Sequence, residues 1–173
     1  MWIYEKKLQH PVKIANPNPR LAGIIITALG GPDGELAAAT RYLNQRYSMP
    51  DGRVIGVLTD VGSEELGHME MVAAIVYQLT RNLTPEEIRA GGFDKYFVDH
   101  GAAIYPSSAA GVPFNAMAIA SKEDALASIT EDLAADAAIL QEQLITKNRR
   151  KPLKYKNFSH LGKTLKNRYP AII

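Results

Sequence analysis

The sequence predicts an all-α protein, a bundle of helices interrupted by one long crossover loop. Several segments carry apolar residues at helical spacing, and no segment of any length alternates apolar and polar residues as a strand does. The stretch from Gly91 to Ser121 is rich in Gly, Pro, Ser and Ala and has no sustained period. Because so long a structureless stretch inside a domain is usually functional or an interface, we expect it to pack as a crossover.

The N-terminal part predicts an extended arm followed by two helices. Three residue–proline pairs disfavour α geometry in the arm: His10-Pro11, Asn16-Pro17 and Asn18-Pro19. A helix-compatible stretch then runs from Arg20 to Leu29, and the Gly30-Gly31-Pro32-Asp33-Gly34 turn interrupts it. The next helix is predicted from Asp33 to about Tyr47, ending before Met49-Pro50-Asp51-Gly52.

Three more helices are predicted before the C-terminal segment. A long one runs from about Arg53 to Arg81, and Thr84-Pro85-Glu86-Glu87 provides the N-cap, the N1 proline and the acidic first turn of a short one. Ser121 is expected to cap the last, which runs to about Thr146. A bundle with one long crossover is typical of the ferritin-like class. The sequence after Thr146 gives only weak support to a fourth bundle helix.

The composition is that of an ordinary globular chain. With 173 residues, 46% hydrophobic and 8% aromatic, it can form one domain with a real core and does not have a disordered composition. Cysteine is absent, so any metal must be held by oxygen and imidazole. The N-terminus lacks the features of a secretory signal, and no apolar run approaches the ~20 residues that span a bilayer. We therefore expect synthesis in the cytoplasm and no membrane partner.

Charge is distributed unevenly along the chain. The formal net charge is +2, but nine bases and no acid follow Glu142, which leaves 11 bases against 18 acids in the preceding part. The body is therefore acidic and the C-terminal segment basic. Such a segment is more often a solvated face than a contact for a polyanion or an acidic neighbour, and we expect no nucleic-acid partner.

A carboxylate and an imidazole interrupt the apolar stripe of the long helix. Glu65 lies within about 40° of six aliphatic residues on the helical wheel, and His68 shares its face. The six are Val54, Leu58, Val61, Val72, Val76 and Leu79. A single core histidine is usually a satisfied hydrogen-bonding residue, but a buried Glu-x-x-His pair requires a strong partner such as a metal ion. Glu64 is expected at the edge of the stripe.

Two other helices offer polar residues to the same interior. Glu35 shares a stripe with Ala38, Ala39 and Tyr42, where small residues leave room for an ion and Tyr42 can hydrogen-bond a ligand carboxylate. Alone, Glu35 would be a solvated first-turn glutamate. On the last helix, Asp136 is predicted to point inward; its alternative role is that of a partly buried hydrogen-bonding residue. Its predicted stripe comprises Ile129, Leu133, Asp136, Leu140 and Leu144.

Two segments that contain these residues resemble the metal-binding helices of the manganese catalases. They are Gly34-Glu35-Leu36 with Arg41-Tyr42-Leu43-Asn44-Gln45-Arg46-Tyr47, and the segment from Thr59 to Met71. Further segments resemble spore-coat members of that family: Trp2 to Gln9, Asn16-Pro17-Asn18-Pro19, Val98-Asp99-His100-Gly101, Tyr105-Pro106 and Gly111-Val112-Pro113-Phe114. The resemblance extends to about Ala135 and rests on specific motifs.

The resemblance implies a ferritin-like fold with a dinuclear manganese site that converts hydrogen peroxide to water and dioxygen. Glu35 would bind one ion, Glu65 would bridge both, and His68 would bind the first, with Tyr42 in support. Asp136 stands where the family has a glutamate that binds the second ion, and it is one methylene shorter. Oxygen-rich ligation without sulfur suits manganese, although iron is an alternative.

The resemblance ends after Ala138. The family continues with a fourth helix bearing a second Glu-x-x-His, whereas this chain has Asn157-Phe158-Ser159-His160. His160 lies about 100° from the apolar stripe of its segment, so a surface histidine is the default and ligation the alternative. A divergent end, a frameshifted coding sequence and a truncation all fit. Residues 1–146 are predicted as one ferritin-like domain of the manganese-catalase type, and residues 147–173 as a basic C-terminal tail.

Two functions follow from these expectations. The first is a spore-coat enzyme that disproportionates hydrogen peroxide at two manganese ions, impaired if the second ion is incompletely held. The second is a non-catalytic structural subunit of a coat or shell, with one ion or none. Under both, the resemblance implies a place in the bacterial spore coat with other coat proteins as partners. Apolar surface left without a fourth helix favours a homo-oligomer. A di-iron oxidase is a third, more distant function.

Overall fold

The fold is a helical bundle with one short hairpin. The computed structural model describes residues 5, 7–98, 103–104, 106–119, 121–122 and 124–147, with side chains described as far as residue 138. The elements are α1 (Pro19–Gly30), α2 (Glu35–Gln45), α3 (Gly52–Thr80), α4 (Pro85–Ala90), β1 (Phe97–Val98), β2 (Ala103–Ile104) and α5 (Ala125–Lys147). Short 3-10 turns lie at Arg46–Ser48, Asp94–Tyr96 and Ala116–Ile119. The all-α prediction is confirmed; the two-residue antiparallel strands were not predicted.

Side-chain caps set the starts of α1, α3 and α4 close to the predicted positions. Asn18 and Asp51 accept hydrogen bonds from backbone N–H groups in the first turns of α1 and α3. Thr84 and Glu87 form a reciprocal capping box at the start of α4, with proline at its first position. These side chains satisfy N–H groups that have no partner within a helix, so they determine where these three helices begin.

The start of α5 differs from the prediction. Ser121 was expected to cap this helix, but the helix begins at Ala125 and the Asp124 carboxylate accepts the N–H of Ala127 at 2.7 Å. Aspartate and serine are about equally good N-caps, and Asp124 caps α5 because it directly precedes the helix. The fully buried Ser128 hydroxyl instead accepts the N–H of Lys122 at 3.2 Å, which folds the preceding chain back onto α5.

The core consists of two clusters that lie along α3. In the first, α3 packs against α1, and α4 and the start of the crossover close it: Ala22, Ile26, Ile75, Val76, Leu79, Ile88, Phe93 and Tyr96. In the second, α3 packs against α2: Ala38, Tyr42, Met49, Leu58 and Val61. The second cluster therefore brings together the two helices that carry Glu35 and Glu65.

Helices α2 and α3 approach most tightly at Gly62. A Cβ at this position would lie 2.9 Å from the Cγ of Leu43 and 3.1 Å from the Cβ of Tyr42. Any larger side chain would push α2 away. The glycine therefore holds Tyr42 close to the part of α3 that carries Glu65.

The N-terminal arm and the crossover are both tied to the helices. The Oε1 atom of Gln78 on α3 accepts a hydrogen bond from the N–H of Ile14 at 2.8 Å, and its Nε2 atom donates to the carbonyl of Val12 at 2.8 Å. In the crossover, the N–H of Ala109 donates to the Thr27 hydroxyl at 2.7 Å. The crossover thus packs against the bundle, as predicted. Within the described residues, no helix combines the length and apolarity needed to cross a membrane.

Candidate metal centre

Three predicted ligands converge between α2 and α3. Glu35, Glu65 and His68 each offer one ligand atom, and these atoms all lie within 4.8 Å of one another. Glu35 is 6% exposed and Glu65 3% exposed, whereas His68 is partly buried. The three-residue spacing within α3 places the imidazole beside the Glu65 carboxylate, and α2 supplies Glu35 from the facing helix.

His68 and Glu65 form a close pair. The Nδ1 atom of His68 lies 2.7 Å from Oε2 of Glu65. Burial lowers the pKa of His68, but the hydrogen bond to Glu65 and the charges of Glu65 and Glu64 outweigh it and raise the pKa overall. Glu64 itself is exposed, as its position at the edge of the stripe predicted. The pair is therefore preorganised, with its imidazole oriented by a carboxylate.

Glu35 carries a strongly perturbed carboxyl. Burial raises its pKa well above the ordinary value, and its hydrogen bond to Glu65 and the negative charges of Glu65 and Asp136 raise it further. In the described part of the chain, no lysine or arginine forms an ion pair with Glu35 or Glu65. Buried carboxylates without a paired lysine or arginine are unfavourable when charged, and a divalent cation could supply the missing positive charge.

Asp136 lies beside this trio but outside it. It sits on α5 and is partly buried, and the Tyr42 hydroxyl donates to its Oδ1 at 3.1 Å. Burial raises the pKa of Asp136 to about 6; the Tyr42 hydrogen bond opposes the rise, Glu65 adds to it, and Arg41 lowers it. The charge of Glu65 therefore acts on Asp136, and Tyr42 forms a hydrogen bond with the Asp136 carboxylate.

Three buried polar residues near the site were not predicted from the sequence. Gln45 is fully buried and donates its Nε2 to Oδ1 of Asp132 at 3.0 Å. Asp132 is 8% exposed, and burial raises its pKa to about 6. Arg41 is 4% exposed. The i, i+4, i+7 spacing of Ser128, Asp132 and Ala135 is the signal that could have found Asp132.

The predicted inward stripe of α5 requires a correction. Leu133 was placed on the buried face, but it is 38% exposed, whereas Ser128, Asp132 and Ala135 are buried. The face toward α2 is therefore made of small and polar residues, because Gln45 and Tyr42 supply hydrogen-bond partners there. His160, the other candidate ligand, lies outside the described residues.

The residues present fit a manganese ion. Two buried carboxylates and one imidazole converge on one point, and the chain has no cysteine that would favour a softer metal. No lysine or arginine pairs with the two carboxylates among the described residues, and a divalent ion would supply the missing positive charge. The trio could hold one ion, and Asp136 is a further carboxylate near it, since its charge acts on Glu35.

Sequence relatives agree with this geometry. A family model described as manganese containing catalase matches residues 1–146. Protein CotJC of Bacillus subtilis is 54% identical over 136 residues, which are 79% of this chain and 71% of that protein. A probable manganese catalase of Clostridium acetobutylicum is 30% identical over 148 residues, 83% of this chain and 66% of that protein. The chain therefore spans only part of each relative.

The fold also has a solved counterpart. The crystal structure of wild-type KatB, a manganese catalase from Anabaena, matches with a TM-score of 0.81, covering 99% of this chain and 78% of that chain at 24% identity. This likeness identifies the bundle as ferritin-like, as predicted. Together with the family-model match and the identity to CotJC, it shows that the chain belongs to the manganese-containing catalase family.

Proposed function

We propose that this chain is a spore-coat protein of the manganese-catalase type that binds manganese through Glu35, Glu65 and His68 and disproportionates hydrogen peroxide slowly. The observation that carries the proposal is the convergence of these three side chains within 4.8 Å in the interior of a chain of this family. Manganese is the favoured ion because the donors are oxygen and imidazole; iron is the alternative.

The residues of the trio have distinct tasks in this proposal. Glu35 and Glu65 provide the negative charge, and the raised pKa of Glu35 means that a cation competes with a proton for its carboxylate. Glu65 belongs to the trio and its charge also acts on Asp136, which makes it the candidate for contact with two ions. His68 is held against Glu65 at 2.7 Å, which limits its rotation before an ion binds. A bound manganese pair would take two electrons from one peroxide molecule and return them to another.

The second ion has fewer candidate protein ligands than the first. Among the described residues it has the shared Glu65 and Asp136, and Asp136 already accepts the Tyr42 hydroxyl. Each coordination position without a protein ligand is left to water. Loss of a partner that merely supports a metal ligand typically costs ~10–100-fold in affinity or activity, and a missing ligand should cost at least that. We therefore expect turnover well below that of a complete family member.

A structural role in a coat or shell is the second candidate. The position of Asp136 outside the trio favours it, because one ion cannot support the two-ion reaction. In addition, Leu126 is 72% and Leu133 38% exposed on α5, and apolar surface of this kind favours association into homo-oligomers or with other coat proteins. Similarity to CotJC supports a place in the spore coat, after synthesis in the cytoplasm, under both candidates.

Ion counting combined with a peroxide assay tests the proposal. The purified chain is saturated with manganese, or in parallel with ferrous iron, and freed of excess metal; bound ions and oxygen release are then measured. We expect one tightly and one weakly bound manganese ion, with slow oxygen release that a Glu65→Gln variant loses. Binding of one ion or none without oxygen release would support the structural role instead. Two tight ions with rapid turnover would contradict the expected weakness of the second site.

A further inference from the structure

Arg41 is a buried cation at the junction of α2, the crossover and α5. It is 4% exposed, so its charge is largely removed from water. Its Nη2 donates to the carbonyl of Pro32 at 3.1 Å and to the carbonyl of Ala118 at 3.0 Å, and lies 3.5 Å from Oδ1 of Asp33. One guanidinium therefore connects the turn before α2 with the end of the crossover, which lies 77 residues after Arg41 in the chain.

The other side of Arg41 faces α5. Its Nε is buried and has no hydrogen-bond partner among the described residues. Arg41 lines a cavity of about 350 Å³ together with Glu131, Ala134 and Ala135 of α5. Ala135 directly precedes Asp136, so the guanidinium lies close to the part of α5 that contacts Tyr42.

Arg41 is a cation placed beside the face of α5 that packs against α2, because it lines the same cavity as Ala134 and Ala135. This face carries the buried Asp132. Burial raises the pKa of Asp132, and the hydrogen bond from Gln45 and the positive charge of Arg41 lower it. Arg41 therefore offsets part of the cost of burying this carboxylate against α2.

We propose that Arg41 is a positioning residue of the metal centre, which anchors the crossover to α2 and holds α5 so that Asp136 reaches the second manganese ion. The part of this inference that concerns manganese affinity rests on the proposed function. It does not make Arg41 a ligand. An arginine suits this task because it stays charged at all relevant pH values and its planar group offers several donors in fixed directions.

Removal of the guanidinium should affect two regions at once. The Pro32 and Ala118 carbonyls would lose a charged donor, and Asp132 of α5 would lose its nearby cation. The variants Arg41→Gln and Arg41→Lys separate these effects, because lysine keeps the charge but offers a single ammonium in place of the fork. Arg46→Gln is a matched control in the 3-10 turn that directly follows α2: Arg46 donates to the Thr59 and Tyr47 hydroxyls and not to the crossover.

The test compares stepwise manganese affinity and amide hydrogen exchange in the full chain. We expect Arg41→Gln to weaken the second ion by at least ~10-fold while the first stays within about threefold, and to speed exchange in residues 116–119 and 125–138. Arg41→Lys should recover most of the second-ion affinity but not the protection of residues 116–119. Arg46→Gln should leave both readouts as in the parent chain.

The outcomes separate this inference from the proposed function. If the parent chain binds fewer than two ions, the two-ion function fails, and hydrogen exchange alone decides the role of Arg41. Unchanged exchange in Arg41→Gln at residues 116–119 and 125–138 would overturn the positioning role in either case. A second-ion affinity in Arg41→Gln equal to that of Arg46→Gln would overturn its link to the metal centre. Should Arg41→Gln fail to fold, Arg41→Lys replaces it in the hydrogen-exchange comparison: its protection of residues 116–119 must fall below that of Arg46→Gln, and equal protection would overturn the positioning role.

Discussion

The Tyr42 hydroxyl on α2 donates a hydrogen bond to Asp136 on α5 across 3.1 Å. This bond joins the helix that carries Glu35 to the helix that carries Asp136, the proposed ligand of the second ion. Both partners are shielded from water, and burial raises the pKa of Tyr42, so the phenol stays protonated as the donor. The bond therefore orients Asp136 toward the interior without a metal being needed to do so.

Tyr42→Phe removes this donor and leaves the ring in place. We expect the second manganese ion to bind ~10-fold more weakly, because Asp136 loses the group that orients it. Stepwise affinities from calorimetric titration provide the measurement. Tyr47→Phe is the control, since Tyr47 is 78% exposed and should not affect metal affinity. Equal second-ion affinity in the two variants would rule out an orienting role for Tyr42.

His68→Ala removes the only imidazole of the trio. We expect the isolated chain to lose tightly held manganese, because two carboxylates without the imidazole no longer complete the site. Metal content after gel filtration measures this loss. Glu64→Gln changes an exposed neighbour on the same helix turn and should retain manganese. Unchanged manganese content in His68→Ala would remove His68 from the site.

The free energy of unfolding of the metal-free chain should fall as the pH rises through about 6. The folded-state pKa values of Asp132 and Asp136 are about 6, above the ~3.9 of an unfolded aspartate. The folded state therefore binds more protons between these values. The resulting stabilisation is complete below pH ~4 and is lost as the pH rises through about 6. The raised pKa of Glu35 acts in the same direction.

Thermal unfolding at several pH values checks this dependence. The metal-free chain should lose stability between pH ~4 and ~6, and an Asp132→Asn, Asp136→Asn double variant should lose less. Manganese competes with protons for the carboxylates, so the rise in Tm on adding manganese should be larger at pH 7.5 than at pH 5. A manganese effect that is equal at both pH values would show that the buried acids are not the ligands.

Gly62→Ala tests the close approach of α2 and α3. The added methyl group would lie 2.9 Å from Leu43 and 3.1 Å from Tyr42, so we expect a loss of about 1–3 kcal/mol in the free energy of unfolding. Gly56→Ala on the same helix meets no atom within 4 Å and should stabilise the chain by up to about 1 kcal/mol. Chemical denaturation of both variants gives the comparison. Similar effects at the two positions would show that Gly62 is not a packing constraint.

The sequence predicted the α3 half of the site because the helical period alone places Glu65 and His68 among buried aliphatic residues. Glu35 required a second helix, and the family resemblance supplied the reason to pair it with Glu65. The same period misplaced the inner face of α5, since its aliphatic residues include the 38% exposed Leu133. Its buried face depends on Gln45 and Tyr42 of another helix, and a pattern within one segment does not contain that information.

Other features of the structure were not predicted from the sequence for related reasons. Strands of two residues are too short to show an alternating period. Arg41 resembles an ordinary charged residue of an amphipathic helix, and its burial follows from carbonyl groups at Pro32 and Ala118, which the crossover brings to it. Long-range polar contacts of this kind become visible only once the fold is known.

The central claim is that Glu35, Glu65 and His68 hold manganese. Its most direct test is a crystal of the manganese-loaded chain measured on both sides of the manganese absorption edge. We predict the strongest anomalous difference peak between these three side chains, with a weaker peak on the Asp136 side of Glu65. The same measurement on His68→Ala crystals should lack the first peak. Manganese bound only at surface carboxylates, with no peak between the three side chains, would contradict the account.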